Sequence, residues 1–279
     1  MSVYTAIQSA FKPTAQSIRA LRLLPVLMVL LTPATTVLAA AAQAALQTPG
    51  ESPISLYSAD YSARFSGLKI EAVQRLEEIE PGIYRESLTA QNVLGKIDEQ
   101  SIFSLTDKQQ LRPTEYRYSR SVFGRTKLEV QHFDWQQNIL HYQKNDNRKE
   151  TALKAGQLDM ITHRLQLRRD LNAGLTAFSY PVISRGKLKQ YDYRVVGEEV
   201  LQTAIGPLRT VKVERIVDAA SKSQFSAWLA SDWDHLIVKL EQKKNGDSHQ
   251  LELRGAVINN QTVLPLNIND HQKTDGSIQ

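Results

Sequence analysis

From about residue 55 onward, apolar and polar residues exchange places at every second position, in short runs separated by turn residues. Tyr116 and Tyr118 alternate with Glu115 and Arg117; Tyr191, Tyr193 and Val195 with Asp192 and Arg194; Leu251 and Leu253 with Gln250, Glu252 and Arg254. Successive side chains of a strand point to opposite faces, so this period packs one face and wets the other. The antiparallel sheet is the arrangement that accepts one wet face. A helical bundle or a parallel α/β fold is therefore excluded for the bulk of the chain. Turn signals separate the runs, among them Pro81-Gly82, Phe123-Gly124, Gly186 and Asn245-Gly246. Asn245-Gly246, between Leu236–Gln242 and Ser248–Val257, is the strongest hairpin signal. The pattern predicts about twelve strands.

One stretch departs from the rhythm. Gln157–Ala173 places Leu158, Ile161 and Leu165 on one stripe and Met160, Arg164, Leu167 and Leu171 on the adjoining one, which predicts a helix with a wide apolar face. Asp159 suits its positive end, Arg168 and Arg169 its negative end, and Gly174 its stop. No flexible linker flanks it, so the strands before it (about 55–153) and after it (177–257) read as two halves of one sheet system. Wide antiparallel sheets curl or close because open edges invite aggregation. The expected fold is thus mainly β: a curved antiparallel sheet, or an open or closed β-barrel, packed around one helix at about 157–173, with an N-terminal signal helix.

The N-terminus has a different composition. Residues 1–22 hold Lys12, Arg19 and Arg22 and no acid, Leu23–Leu31 is a compact apolar run, and small residues lead to Ala42-Gln43-Ala44. That order is the layout of a secretory signal peptide cut after Ala44, with an uncleaved inner-membrane anchor as the alternative. Residues 45–54 then form a flexible leader, 55–258 a single β-rich domain and 259–279 a disordered tail; the expected location is the periplasm. Removing residues 1–44 takes three of the 34 basic residues and none of the 29 acidic ones, leaving a net charge of +2. So weak a balance argues against nucleic acid as a partner. The chain has no cysteine, which excludes disulfides, thiolate metal sites and a cysteine nucleophile.

No G-x-S-x-G, H-E-x-x-H, phosphate-binding loop or G-x-G-x-x-G occurs. His132 and His141 flank a turn but lack a third ligand, so no metal and no cofactor is expected. Asp134-Trp135 pairs an acid with an aromatic platform, although an Asp there also suits a turn cap. Asp232 and Asp234, between Trp228 and the next strand, form an Asp-x-Asp that reads either as an acid–base pair or as a turn device. Arg164, Arg168 and Arg169 read as a solvated helix face, with contact to an anionic headgroup or phosphate as the alternative.

Several phrases taken together resemble a known family. They are Leu111-Arg112-Pro113-Thr114-Glu115-Tyr116, Phe133-Asp134-Trp135, the helix around Leu158–Leu171, Lys187–Gly197 with its Tyr-x-Tyr, Gly206–Val213, and Trp228–Leu240. In order and spacing they are similar to the bacterial envelope family known as domain-of-unknown-function family 3108, over about Tyr57–Val257. The resemblance implies an exported β-rich domain and carries no activity and no functional residue. The expectation is a non-catalytic envelope protein binding an apolar or amphipathic, lipid-like ligand in its curved sheet, with Trp135, Trp228, Tyr191, Tyr193 and Asp134 as candidate contacts. The alternatives are an envelope scaffolding module that binds a protein partner, and a polysaccharide-directed hydrolase using Asp134 or Asp232/Asp234.

Overall fold

A computed structural model of the chain describes residues 54–65, 68–218, 221, 223–245 and 247–267. The expected signal segment, the leader up to residue 53 and the tail from residue 268 lie outside the described residues. The strands are β1 (Tyr57–Phe65), β2 (Leu68–Glu80), β3 (Ile83–Asn92), β4 (Gly95–Leu105), β5 (Leu111–Val122), β6 (Arg125–Asp134), β7 (Ile139–Lys144) and β8 (Asn147–Ala152) before the helix. After helix α1 (Thr162–Asn172) come β9 (Ala177–Ser184), β10 (Lys187–Thr203), β11 (Gly206–Ile216), β12 (Ser223–Ala230), β13 (Leu236–Lys244), β14 (Asp247–Ile258) and β15 (Gln261–Thr262). They form one sheet in the order β8-β7-β6-β5-β4-β3-β2-β1-β14-β13-β12-β11-β10-β9, with β15 on β14. The two halves that flank the helix join where β1 pairs antiparallel with β14.

The sheet does not close, because β8 and β9 stand at its two ends and do not pair with each other. Bulges between Asp60 and Tyr61, Ile102 and Phe103, Val195 and Gly197, and Trp228 and Leu229 interrupt the register. Each adds local twist, which curls the sheet. The ends approach at one point: the β9–β10 turn lies against the Tyr142 ring of β7, so closely that a Cβ added at Gly186 would meet the ring at 2.5 Å. Gly186 also has φ +64, in the left-handed region. Gly186→Ala is expected to cost about 2–3 kcal/mol from backbone strain and displacement of the ring, read as a lower urea midpoint.

The residues before α1 cover the exposed edge of β9. Leu158 N donates to Pro181 O at 3.0 Å, and Ile183 N donates to Leu158 O at 2.7 Å, a parallel bridge. This is why the helix begins at Thr162 and not at Gln157 as the spacing predicts: the backbone of Leu158 is spent on the strand edge. Asp159 then starts the helix, one carboxylate oxygen accepting the N–H groups of Ile161 and Thr162 at 2.7 and 2.8 Å, while Thr162 Oγ1 accepts the N–H of Asp159 at 2.9 Å. At the other end Gly174 N bonds Leu171 O and Leu175 N bonds Asp170 O, a Schellman stop with Gly174 at φ +80.

The tail expected from residue 259 is not loose at its start. Gln261–Thr262 pairs with β14, Val263 is buried, and Leu266 N donates to Pro207 O at 2.8 Å. Among the described residues no helix is long and apolar enough to cross a membrane.

Candidate functional site

The pairing register shows what the concave face carries. One rung runs Tyr57, Leu76, Glu86, Ser101, Tyr116, Gln131, Tyr142 from β1 to β7. The next runs Gln74, Leu88, Glu99, Tyr118, Glu129 from β2 to β6. Carboxylates thus stand at positions that the alternation assigns to the core, and Glu86 and Glu99 are each 2% exposed. A buried carboxylate survives only with partners.

Helix α1 supplies the cations, and the sheet supplies the remaining hydrogen bonds. Arg164 reaches Glu99 Oε2 at 3.2 Å, and Tyr116 donates its hydroxyl to Glu99 Oε1 at 2.6 Å. Glu86 Oε1 accepts from Tyr57 at 2.8 Å and from Gln74, while its Oε2 has no hydrogen-bond partner among the described residues. Arg168 lies over the Tyr57 ring at 4.5 Å and bonds Asp234 Oδ2 at 3.1 Å and the Asp234 carbonyl at 3.2 Å. Asp159 accepts a third bond, from Ser101. Burial pushes the carboxyls of Glu86 and Glu99 above the usual range, against the pull of the arginines. It also raises Asp159, against its hydrogen bonds from Ser101, Thr162 and Ile161.

Beside this cluster, His163 stacks on Tyr191 at 5.4 Å and touches the Tyr193 hydroxyl through Nε2 at 3.2 Å. Burial, helped by the neighbouring Arg164 charge, pushes the imidazole down to about 3. Its Nδ1 faces the Asp159 carbonyl at 3.1 Å. Among the described residues, the interior of the curled sheet therefore holds α1, an ionic network and a stack of aromatic rings.

The family model for a protein of unknown function, DUF3108, matches residues 50–254. The chain belongs to the DUF3108 family. Among solved structures, this DUF3108 chain is similar to a beta-barrel-like protein of domain of unknown function DUF1849 from Brucella abortus, with a TM-score of 0.50 and 10% identity. The match covers 74% of this chain and 98% of that one, and at this identity it speaks to the fold alone. No curated protein matches the chain.

The DUF3108 domain does not gather the sequence-predicted residues at one place. Asp134 caps its turn, accepting from the N–H groups of Gln136 and Gln137 at 2.9 and 2.8 Å. Trp135 stacks on Phe133, lies under Arg112 and donates Nε1 to the Pro113 carbonyl at 2.6 Å. Trp228 is on the convex face, covered by Lys212 and Lys239 at 5.1 and 4.9 Å from its ring, with Nε1 on Glu199 at 2.6 Å. Tyr191 and Tyr193 are buried inside against His163. Asp232 is held by Arg209 at 3.0 Å near the surface, whereas Asp234 is taken by Arg168 and Asn172. His132 and His141 stand directly opposite each other, each beside its own glutamate, Glu115 and Glu150. No metal-competent cluster occurs among the described residues.

The helix arginines correct the solvated-face reading: the side chains of Arg168 and Arg164 are 4% and 14% exposed. The pattern assumed one packed helix face, but the curled sheet encloses more than one. Glu86 and Glu99, absent from the candidate residues, do leave a signal in the sequence. Each stands in phase with apolar neighbours, in Tyr84-x-Glu86-x-Leu88 and Ile97-x-Glu99-x-Ser101-x-Phe103. A carboxylate in phase with a core face demands a buried cation, and Arg164 and Arg168 on the one helix are the natural source.

Proposed function

We propose that this DUF3108 protein is an exported, non-catalytic binding protein of the bacterial envelope that acts through its outer surface and not through a cavity in its sheet. The observation that carries this reading is α1 buried within the curled sheet, with Arg164 on Glu99 and His163 stacked on Tyr191. A lipid-like guest in the concavity would have to displace α1 and strand Glu86 and Glu99 without their cations. The carboxylates that would serve a hydrolase are instead turn caps and salt-bridge partners, and do not face one cleft. The basic, apolar, small-residue order of residues 1–44 supports export.

Native mass spectrometry of the purified protein tests it. The expected spectrum shows the polypeptide mass alone, and solution with a fluorescent fatty-acyl probe gives no saturable uptake. A stoichiometric acyl lipid that survives desolvation, or a probe displaced by phospholipid from a saturable interior site, would return the function to the concavity.

A further inference from the structure

In an antiparallel run every second connection falls at the same end of the sheet. The β3–β4, β5–β6 and β7–β8 tips therefore share one end, and the β9–β10 tip joins them there, with Gly186 against Tyr142. Two of these tips are bonded directly, Phe123 N donating to Leu94 O at 3.3 Å. They expose three apolar side chains side by side: Val93 at 89%, Phe123 at 78% and Leu94 at 39%. The Phe123 backbone has φ +49, where a hairpin turn normally takes Asn, Asp or Gly, as the neighbouring tip does with Asn145 at φ +48. A bulky ring held there in water gains no packing for that strain.

Cations surround the rings. Arg120, Arg125 and Lys127 line one depression with Phe123, and Lys96, paired with Asp98 at 2.9 Å, lines a second with Val93, Leu94 and Phe123. Arg120 and Lys127 are directly opposed across β5 and β6, a like-charge pair that costs stability in isolation. The β7–β8 hairpin adds Arg148 and Lys149, both exposed, with Asp146 as the acid at its tip. The connections at the opposite end carry Glu80, Asp107, Asp134, Asp232 and Asp234, with Lys108 beside Asp107.

We propose that the β3–β4 and β5–β6 tips form a docking surface for an anionic lipid bilayer, with Val93, Leu94 and Phe123 entering the headgroup region and the surrounding Arg and Lys meeting lipid phosphates. The inference rests on the outer-surface reading above and gives that surface a partner. Exposed apolar side chains ringed by cations match the two layers of such a membrane, acyl boundary below and negative headgroups above. The charge complementarity is what selects a bilayer over a second copy of this equally basic tip.

The absence of cysteine makes the test direct, because one introduced cysteine is a unique labelling site. A spin label on Val93→Cys in the full chain is compared with one on Gln137→Cys at the opposite end, using phosphatidylcholine vesicles with and without phosphatidylglycerol. Oxygen and nickel-chelate relaxation report depth. The expected result is a lipid-facing label at 93 only when phosphatidylglycerol is present, and an aqueous label at 137 in both. Removing a cation should lower partitioning about fivefold per residue, so Arg125→Glu with Lys127→Glu lowers it by more than about twenty-five-fold. Phe123→Ser should lower it about tenfold. High salt should release the protein. A label at 93 that stays aqueous on phosphatidylglycerol vesicles, or one equally deep without it and indifferent to charge reversal, overturns the proposal. Failure of the outer-surface reading would show separately, as a retained lipid mass in the native spectrum.

Discussion

Arg164→Leu is expected to destabilise the protein by about 3–5 kcal/mol at neutral pH, because it leaves a buried carboxylate without its cation. Glu99 has a side chain only 1% exposed, and Arg164 is its ion-pair partner at 3.2 Å. The Tyr116 hydroxyl remains on Oε1, but a neutral donor does not replace a charge. Arg164 is also one of two cations that counter the burial of Glu86. Two further measurements separate this cause from lost packing. First, Glu99→Gln in the Arg164→Leu background should recover most of the loss, since a neutral amide needs no counter-ion. Second, the damage should depend on pH. With its cation gone, Glu99 is driven further above the unfolded value, and a raised carboxyl contributes stability that is present at low pH and lost as pH rises through the folded value. Urea titrations at pH 5 and pH 8 should therefore show a smaller gap to the wild type at pH 5. Equal gaps, or no rescue by Glu99→Gln, would assign the loss to packing.

That pair also shows where the sequence was readable and where it was not. Alternation is a local property, and it shows most of the strands: fifteen form among the described residues where about twelve are expected, β13 and β14 meet at the Asn245-Gly246 hairpin, and the two groups of strands belong to one sheet. The helix was legible from its own spacing, but its first residue was not. Leu158 fits a helical stripe and a strand-edge bridge equally well, and which one wins depends on β9 lying nearby. The interior was hidden for the same reason. Arg164 and Arg168 look like any solvated pair until a sheet curls around the helix, and curling depends on bulges that a period-two pattern does not report. Residue type alone does not say where an aromatic side chain lies, and the fold scatters these: Tyr191 and Tyr193 inside, Trp228 under lysines outside, Trp135 on a turn. In the sequence Phe123 is only half of a turn signal. Its exposure, and its contact with the β3–β4 tip, needed the register of four strands.

His163→Gln is expected to reverse the order of stability between variant and wild type as pH falls. The imidazole is buried neutral, pushed down to about 3 from 6.5, chiefly by burial and then by Arg164. A depressed pKa contributes stability that is fully present above the unfolded value and lost as pH falls toward the folded one. Between pH 6.5 and 3 the unfolded chain takes a proton that the native chain refuses, at about 1.4 kcal/mol per pH unit. By pH 4 the wild type should have lost about 3 kcal/mol through this residue alone. The buried carboxyls of Glu86, Glu99 and Asp159 work the other way, because raised groups favour the native state as they take up protons. The wild-type profile sums opposing trends, and only the difference between the two proteins isolates the histidine. At pH 7.5 the variant should be less stable by about 1–2 kcal/mol, having lost the ring stack on Tyr191 and the contact with the Tyr193 hydroxyl. Below about pH 5 it should be the more stable of the two, since glutamine has no proton to take up. Urea midpoints from pH 4 to pH 8 decide the matter: crossing curves place a neutral imidazole in the interior, whereas parallel curves would mean that His163 is solvated and that α1 does not fill the sheet.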